Sequence, residues 1–225
     1  MPRATRQATD CGAARLREVE LTLLTRARVG TLAWCLVGAV LLLPSLFIAT
    51  DPAAATVLGW RPALWPGEPW RAWSAAWVHL STLHLVANLI GGVLVIALGA
   101  VARVDARAAL AWMLAWPLTH VGLLLMPELH RYGGLSGVLH GGVAVVAAVL
   151  LRRGTGAQRR VGGVIAAVLG FKLLFEAPWQ GPLAYPDGWD IPVAPIAHST
   201  GAVAGAVLGS LLAQPRMRRT RDVVE

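Results

Sequence analysis

Charge is scarce in this 225-residue sequence: Asp, Glu, Lys and Arg make up 14% of it, where a soluble domain carries about a quarter. With 56% hydrophobic residues and a mean hydropathy of +0.59, the chain reads as a membrane protein. Cysteine is almost missing. Cys11 lies in a polar N-terminal stretch and Cys35 inside the first apolar run, so the two should sit at different depths and no disulfide is expected. No His-Glu-x-x-His run occurs, which removes the helical zinc-peptidase site. The aspartates fall in tails and loops, which removes an intramembrane aspartyl pair. Neither a metal nor any other cofactor is expected. No internal repeat supports an inverted-repeat transporter. The first apolar run lacks a small-residue cleavage site followed by a soluble domain, so a retained span is expected there, not a signal peptide. The net charge of +8 would suit nucleic acid only if the arginines clustered on one soluble surface. They lie between the apolar runs instead, and no nucleic-acid partner is expected.

What the sequence does have is apolar length. Runs of about 17 to 22 residues, enough for an α-helix to cross a roughly 30 Å hydrocarbon core, fall at 29–49, 82–102, 107–126, 135–151, 161–177 and 193–213. The expected fold is an all-α, multi-pass membrane bundle of six transmembrane helices over 29–213, between an N-terminal tail, 1–28, and a basic C-terminal tail, 214–225. Cytoplasmic loops retain positive charge. Arg3, Arg6, Arg15, Arg17, Arg26 and Arg28 precede the first run, Arg103 and Arg107 follow the second, and Arg152, Arg153, Arg159 and Arg160 follow the fourth. Arg216, Arg218, Arg219 and Arg221 follow the sixth, whereas the other loops hold only Arg61, Arg71 and Arg131. Both termini should therefore be cytoplasmic. Trp60, Trp65, Trp70, Trp73 and Trp77 crowd the first outer loop and Trp179 and Trp189 the last, as expected of rings that favour the headgroup region. Pro62, Pro66 and Pro69 oppose a regular helix in that first loop, which is expected to dock into the bilayer interface.

Three constellations carry chemistry. Gly133-Gly134-Leu135-Ser136-Gly137-Val138-Leu139-His140-Gly141 stands where an outer loop meets the fourth run. Polar residues in a span are functional candidates by default. Gly134 permits a tight approach to the serine, and Ser136 in the first turn would be both rigid and reachable by water; the alternative is an N-capping serine on a glycine-rich packing helix. Ala197-His198-Ser199-Thr200-Gly201 opens the sixth run, and Gly201, Gly205 and Gly209 recur every four residues, a stripe along which another helix can come close. An even number of crossings separates the fourth and sixth runs, so Ser136 and His198 should meet at similar depth near the outer face. His198 could otherwise be a packing histidine. His79-Leu80-Ser81-Thr82-Leu83-His84-Leu85-Val86-Ala87-Asn88 opens the second run. His84 and Asn88 share a helix face and could aim two donors at a developing oxyanion, or anchor the loop, the role expected of His79. Lys172 and Glu176 lie one turn apart near the outer end of the fifth run and are expected to form a structural ion pair rather than to recognise substrate. His120 and His130 are read as structural.

GxSG, AHxxGxxxG and HxxxxHxxxN, in this arrangement across six spans from about Trp70 to Gly209, resemble the rhomboid intramembrane serine proteases. The resemblance implies a rhomboid-like six-helix bundle in which Ser136 and His198 form a catalytic dyad without a third acid, while His84, Asn88 and the Ser136 backbone N–H line the oxyanion site. One departure is His140, which stands where rhomboids usually place a tyrosine stacked on the catalytic histidine. That histidine, GLSGVLHG and the segment Lys172-Leu173-Leu174-Phe175-Glu176 are similar to the rhombosortase branch. Its clients carry a C-terminal Gly-Gly, helix and basic-cluster tail, which implies a substrate with a transmembrane helix and a place in the bacterial inner (cytoplasmic) membrane. Two other readings compete: a client-binding relative without activity, and a proton-coupled transporter relaying through Lys172, Glu176, His120 and His198, which leaves the serine motif unexplained.

Overall fold

A computed structural model describes residues 3–213; the basic tail expected at 214–225 lies outside the described residues. The described chain is helical. Helix α1, Arg3–Ile48, runs without interruption through the stretch expected as an N-terminal tail. A short outer helix α2, Pro52–Leu58, and a second, α3, Arg71–Ser74, precede α4, Thr82–Val101, and α5, Ala106–Val121. Then come α6, Ser136–Arg153, α7, Gly156–Phe175, and α8, Pro195–Leu212. The starts have local causes. The Ser81 hydroxyl accepts the His84 N–H at 3.1 Å, Asp105 accepts that of Ala108 at 3.1 Å, Thr155 and Gln158 form a capping box, and Pro195 occupies the first turn of α8, where its missing N–H costs nothing.

Five segments are long and apolar enough to cross a membrane: Ala27–Ile48, Thr82–Val101, Ala106–Leu125, Ser136–Arg153 and Pro195–Leu212. The helix at the fifth expected run, α7, has 20 residues but is not among them, because Arg159, Arg160 and Lys172 leave too short an uncharged stretch between its ends. Its outward face is nonetheless apolar: Val161, Val164, Val168, Phe171 and Phe175 are all exposed. Phe47, Val101 and Leu211 are exposed on other helices in the same way, the reverse of a water-facing surface and the arrangement lipid accepts.

Helix α6 is the hub, with 67% of its span buried against 28% for α4. Its closest partner is α8. A Cβ on Gly137 would stand 2.6 Å from the Ala197 carbonyl oxygen, and one on Gly141 3.0 Å from that of Gly201. Conversely, a Cβ on Gly201 or Gly205 would overlap the carbonyls of Gly137 and Gly141, and one on Gly209 would lie 3.0 Å from the Val145 Cα. The glycine stripe of α8 therefore lies backbone to backbone on α6. Beside it, Trp34 of α1 packs against Trp112 of α5, ring centroids 4.4 Å apart and planes tilted by 32°. The indole N–H of Trp112 donates to the Val138 carbonyl at 2.9 Å.

The loop between α1 and α4 is docked onto protein. Trp60, expected at the bilayer interface, is fully buried, because its backbone exchanges hydrogen bonds with Tyr132 at 2.8 and 2.9 Å. Trp70 is half exposed. Arg71 is buried, pairs with Glu68, and donates to the Gly59 carbonyl at 2.7 Å.

Candidate active site

The loop before α6 is shaped by two glycines. Gly134 takes φ +153°, a conformation side-chain-bearing residues rarely adopt, and its N–H donates to the Ala75 carbonyl at 2.9 Å. A Cβ there would sit 3.0 Å from His84 Nε2, and one on Gly133 2.6 Å from Val78 Cγ1. The chain thus passes directly under the outer loop and places Ser136 as the first residue of α6.

On α8, His198 lies one turn after Pro195 and is 6% exposed. The glycine contacts between α6 and α8 bring its Nε2 to 2.9 Å from Ser136 Oγ. Its Nδ1 lies 2.7 Å from Glu176 Oε2. Lys172 pairs with the other oxygen of the same carboxylate, so the expected one-turn pair forms but does not stand alone. The resemblance implied no third acid; a carboxylate lies there.

His140 packs against the other face of His198, with ring centroids 4.2 Å apart and planes 14° from parallel. Its Nδ1–H donates to the Ser136 carbonyl at 2.7 Å. Position 140 therefore provides a stacking ring fastened to the serine's own turn. Proximity along α6 does not bring His140 to Ser136 Oγ, because side chains on a helix lean toward its N-terminus over the preceding turn and the ring is anchored on the backbone there.

His84 and Asn88 lie on the buried face of α4. His84 Nδ1 accepts the Leu80 N–H at 3.4 Å, which leaves Nε2 as the protonated nitrogen facing Gly134. Asn88 is 4% exposed, and its amide nitrogen has no hydrogen-bond partner among the described residues. A buried donor left unsatisfied costs about 1–3 kcal/mol, a cost that calls for a functional or structural reason. His79 donates from Nδ1 to the Trp77 carbonyl at 3.1 Å. Burial lowers its pKa to about 4, so it is a neutral anchor at the loop end. His120 is fully buried with Nδ1 on the Ala72 carbonyl at 2.6 Å.

Two site residues have no sequence motif. The Tyr132 hydroxyl donates to the Gly134 carbonyl at 3.2 Å; burial pushes its pKa up to about 12, against the opposing pull of Ser136 and Gly137. Ser81, besides capping α4, donates to Asp190 at 2.7 Å and so ties the last outer loop across the mouth above His84. Tyr132 follows His130 and Arg131, and Ser81 is a spacer between His79 and His84, so nothing in the spacing marks either.

Chemically, the arrangement offers a hydroxyl bonded to an imidazole, an acceptor behind that imidazole, and unused donors from a neighbouring helix. The family model described as Rhomboid domain matches residues 66–215, which include every residue of this site. No curated protein matches the chain.

Proposed function

The chain belongs to the rhomboid family, and on that footing we propose that it is an intramembrane serine endopeptidase with Ser136 as nucleophile and His198 as general base. The observation that carries this reading is the 2.9 Å contact between Ser136 Oγ and His198 Nε2, made where both helices begin. His198 Nε2 takes the hydroxyl proton as Oγ attacks the scissile carbonyl carbon. The oxyanion that forms is met by the Asn88 amide, His84 Nε2–H and the Ser136 backbone N–H. Collapse breaks the C–N bond, and His198 returns the proton to the leaving amine. Water then repeats the sequence on the acyl-enzyme, releasing the new carboxylate and restoring Ser136. General-base assistance of this kind contributes about 10²- to 10⁴-fold.

The same proposal counts α7 as a span, which makes six. Helices α6 and α8 touch at matched glycines with Ser136 and His198 at the same end, so they are parallel, and the chain between them has to return the length of the bundle. Twenty helical residues cover about 30 Å. With the arginines of both tails and of the α4–α5 and α6–α7 links on one side, the termini are cytoplasmic, and the site opens near the outer face. The protease domain then spans 29–213 between the tails 1–28 and 214–225, in a bacterial inner membrane. The substrate is a membrane-anchored protein, and the rhombosortase-like features, above all His140 in the stacking position, favour a C-terminal Gly-Gly ahead of a transmembrane helix and basic tail. Glycine at the cut suits the chemistry, because a helix hides its carbonyls in its own hydrogen bonds.

The test is cleavage of a reconstituted single-span peptide with Gly-Gly at its outer boundary, alongside labelling by a fluorophosphonate. Both are expected to be lost in Ser136→Ala, and cleavage to be lost in His198→Ala. Labelling or cleavage that survives in folded Ser136→Ala would sink the reading, and a wild-type protein that binds the peptide without cutting or labelling would make this a client-binding relative.

A further inference from the structure

Glu176 stands at the C-terminal end of α7, directly before Ala177, whose φ of +46° turns the chain out of the helix. Its carboxylate is divided between two partners. One oxygen pairs with Lys172 one turn back, and the other lies 2.7 Å from His198 Nδ1 across to α8. His198 is thereby held at both nitrogens, by Ser136 on one side and Glu176 on the other.

We propose that Glu176 is a positioning residue for the reaction, so that the site works as a Ser136–His198–Glu176 triad rather than a dyad. This rests on the reading of Ser136 and His198 given above. The stacked His140 ring fixes the plane of His198, but a plane does not choose a tautomer. A flip of the imidazole within that plane would exchange its nitrogens, and a proton on Nε2 would leave no lone pair for the serine. An acceptor at Nδ1 removes both alternatives: Nδ1–H donates to Glu176, and Nε2 is left to accept from Ser136. When Nε2 takes the serine proton, the imidazolium stands beside a carboxylate, and the proton on Nδ1 stays there throughout. Lys172 keeps the carboxylate charged and holds its rotamer. The other ionisable groups facing this assembly are His140 from α6 and His84 from α4, with Asp190 from the last outer loop behind His84; His120 of α5 is engaged with Ala72.

The experiment follows fluorophosphonate labelling of the full-length protein in phosphatidylethanolamine–phosphatidylglycerol vesicles. Glu176→Gln is expected to label more slowly, by up to about 10⁴-fold. Glu176→Asp should recover part of the rate. The double variant Lys172→Met/Glu176→Gln should be as slow as Glu176→Gln alone. A wild-type rate in Glu176→Gln would overturn the proposal, as would a double variant that regains the wild-type rate, since Glu176 would then only neutralise Lys172. Independently of any variant's folding, ¹⁵N spectra of the wild-type protein should show His198 protonated at Nδ1 with a far-downfield proton; an Nε2–H tautomer overturns the proposal. Labelling that persists in Ser136→Ala removes the functional reading itself, whereas Ser136-dependent labelling indifferent to Glu176 removes only this inference.

Discussion

The two helices that follow α6 are held to it in opposite ways. Helix α8 lies against it backbone to backbone, with Gly201 and Gly205 seated on the carbonyls of Gly137 and Gly141. Helix α7 is tight only near the turn that joins it to α6, where a Cβ on Gly162 would stand 2.8 Å from that of Leu150; at Gly170 nothing lies within 4 Å. At its far end it is tied back by Glu176. A close seam thus sets the distance between hydroxyl and imidazole, while a loosely packed helix delivers the carboxylate. The lesson is that glycines of similar appearance on neighbouring helices do unlike things, and substitution should tell them apart.

The largest effect is expected at the seam. Gly201→Val puts a branched side chain against the Gly137 carbonyl, and since backbone cannot move aside as a rotamer can, α8 has to shift away. Overpacking of this kind costs about 1–3 kcal/mol, and fluorophosphonate labelling should disappear even where the protein still inserts. Near-wild-type labelling of Gly201→Val would show that the seam does not set the Ser136–His198 distance. Next comes Asn88→Ala, outside the seam, expected to lower turnover of the Gly-Gly peptide by about 10²- to 10³-fold through loss of one oxyanion donor, with substrate capture unchanged. Equal turnover would make Asn88 a packing residue of α4. His140→Tyr replaces one stacking ring by another and should keep activity within about tenfold, as a stacked aromatic pair contributes about 0.5–1.5 kcal/mol; a dead but folded variant would assign His140 more than support. The smallest effect belongs to α7. Gly170→Ala meets open space and should leave labelling unchanged while stabilising the helix by about 0.5–1 kcal/mol, read as a small rise in thermal midpoint. A loss there would mean that α7 packs more closely than its neighbours indicate.

Much of this contrast was legible in the sequence, because it depends on spacing within one helix. The four-residue recurrence of Gly201, Gly205 and Gly209 announces a close-packed face, and the apolar runs announce spans. Such patterns name a face, not its partner; that α6 receives the stripe follows from Gly137 and Gly141, which read locally as surroundings of a serine. Lys172 and Glu176 show the same limit. Their separation of one turn predicts the pair that forms, yet the bond from His198 to Glu176 joins residues 22 apart across an irregular loop, and no periodicity registers it. Trp60 was misjudged for a related reason: an indole in an outer loop suits the interface until a backbone pairing with Tyr132 draws it inside. The fifth run is less plain, since charge at both ends of α7 shortens its apolar stretch even though its length and outward face suit a crossing.

The seam between α6 and α8 also acts as a keyway. Each glycine of one helix is a notch that receives the main chain of the other, and the residues between the notches carry side chains. A slip of α8 by part of a turn would carry its notches off the carbonyls they receive, and a slip by a whole turn, about 5.4 Å, would part His198 from Ser136. Only one setting along their common axis joins the hydroxyl to the imidazole. Motion that admits a substrate therefore has to arise elsewhere, in α4, the outer loops or the loosely seated α7, while Ser136 and His198 travel as a single rigid piece.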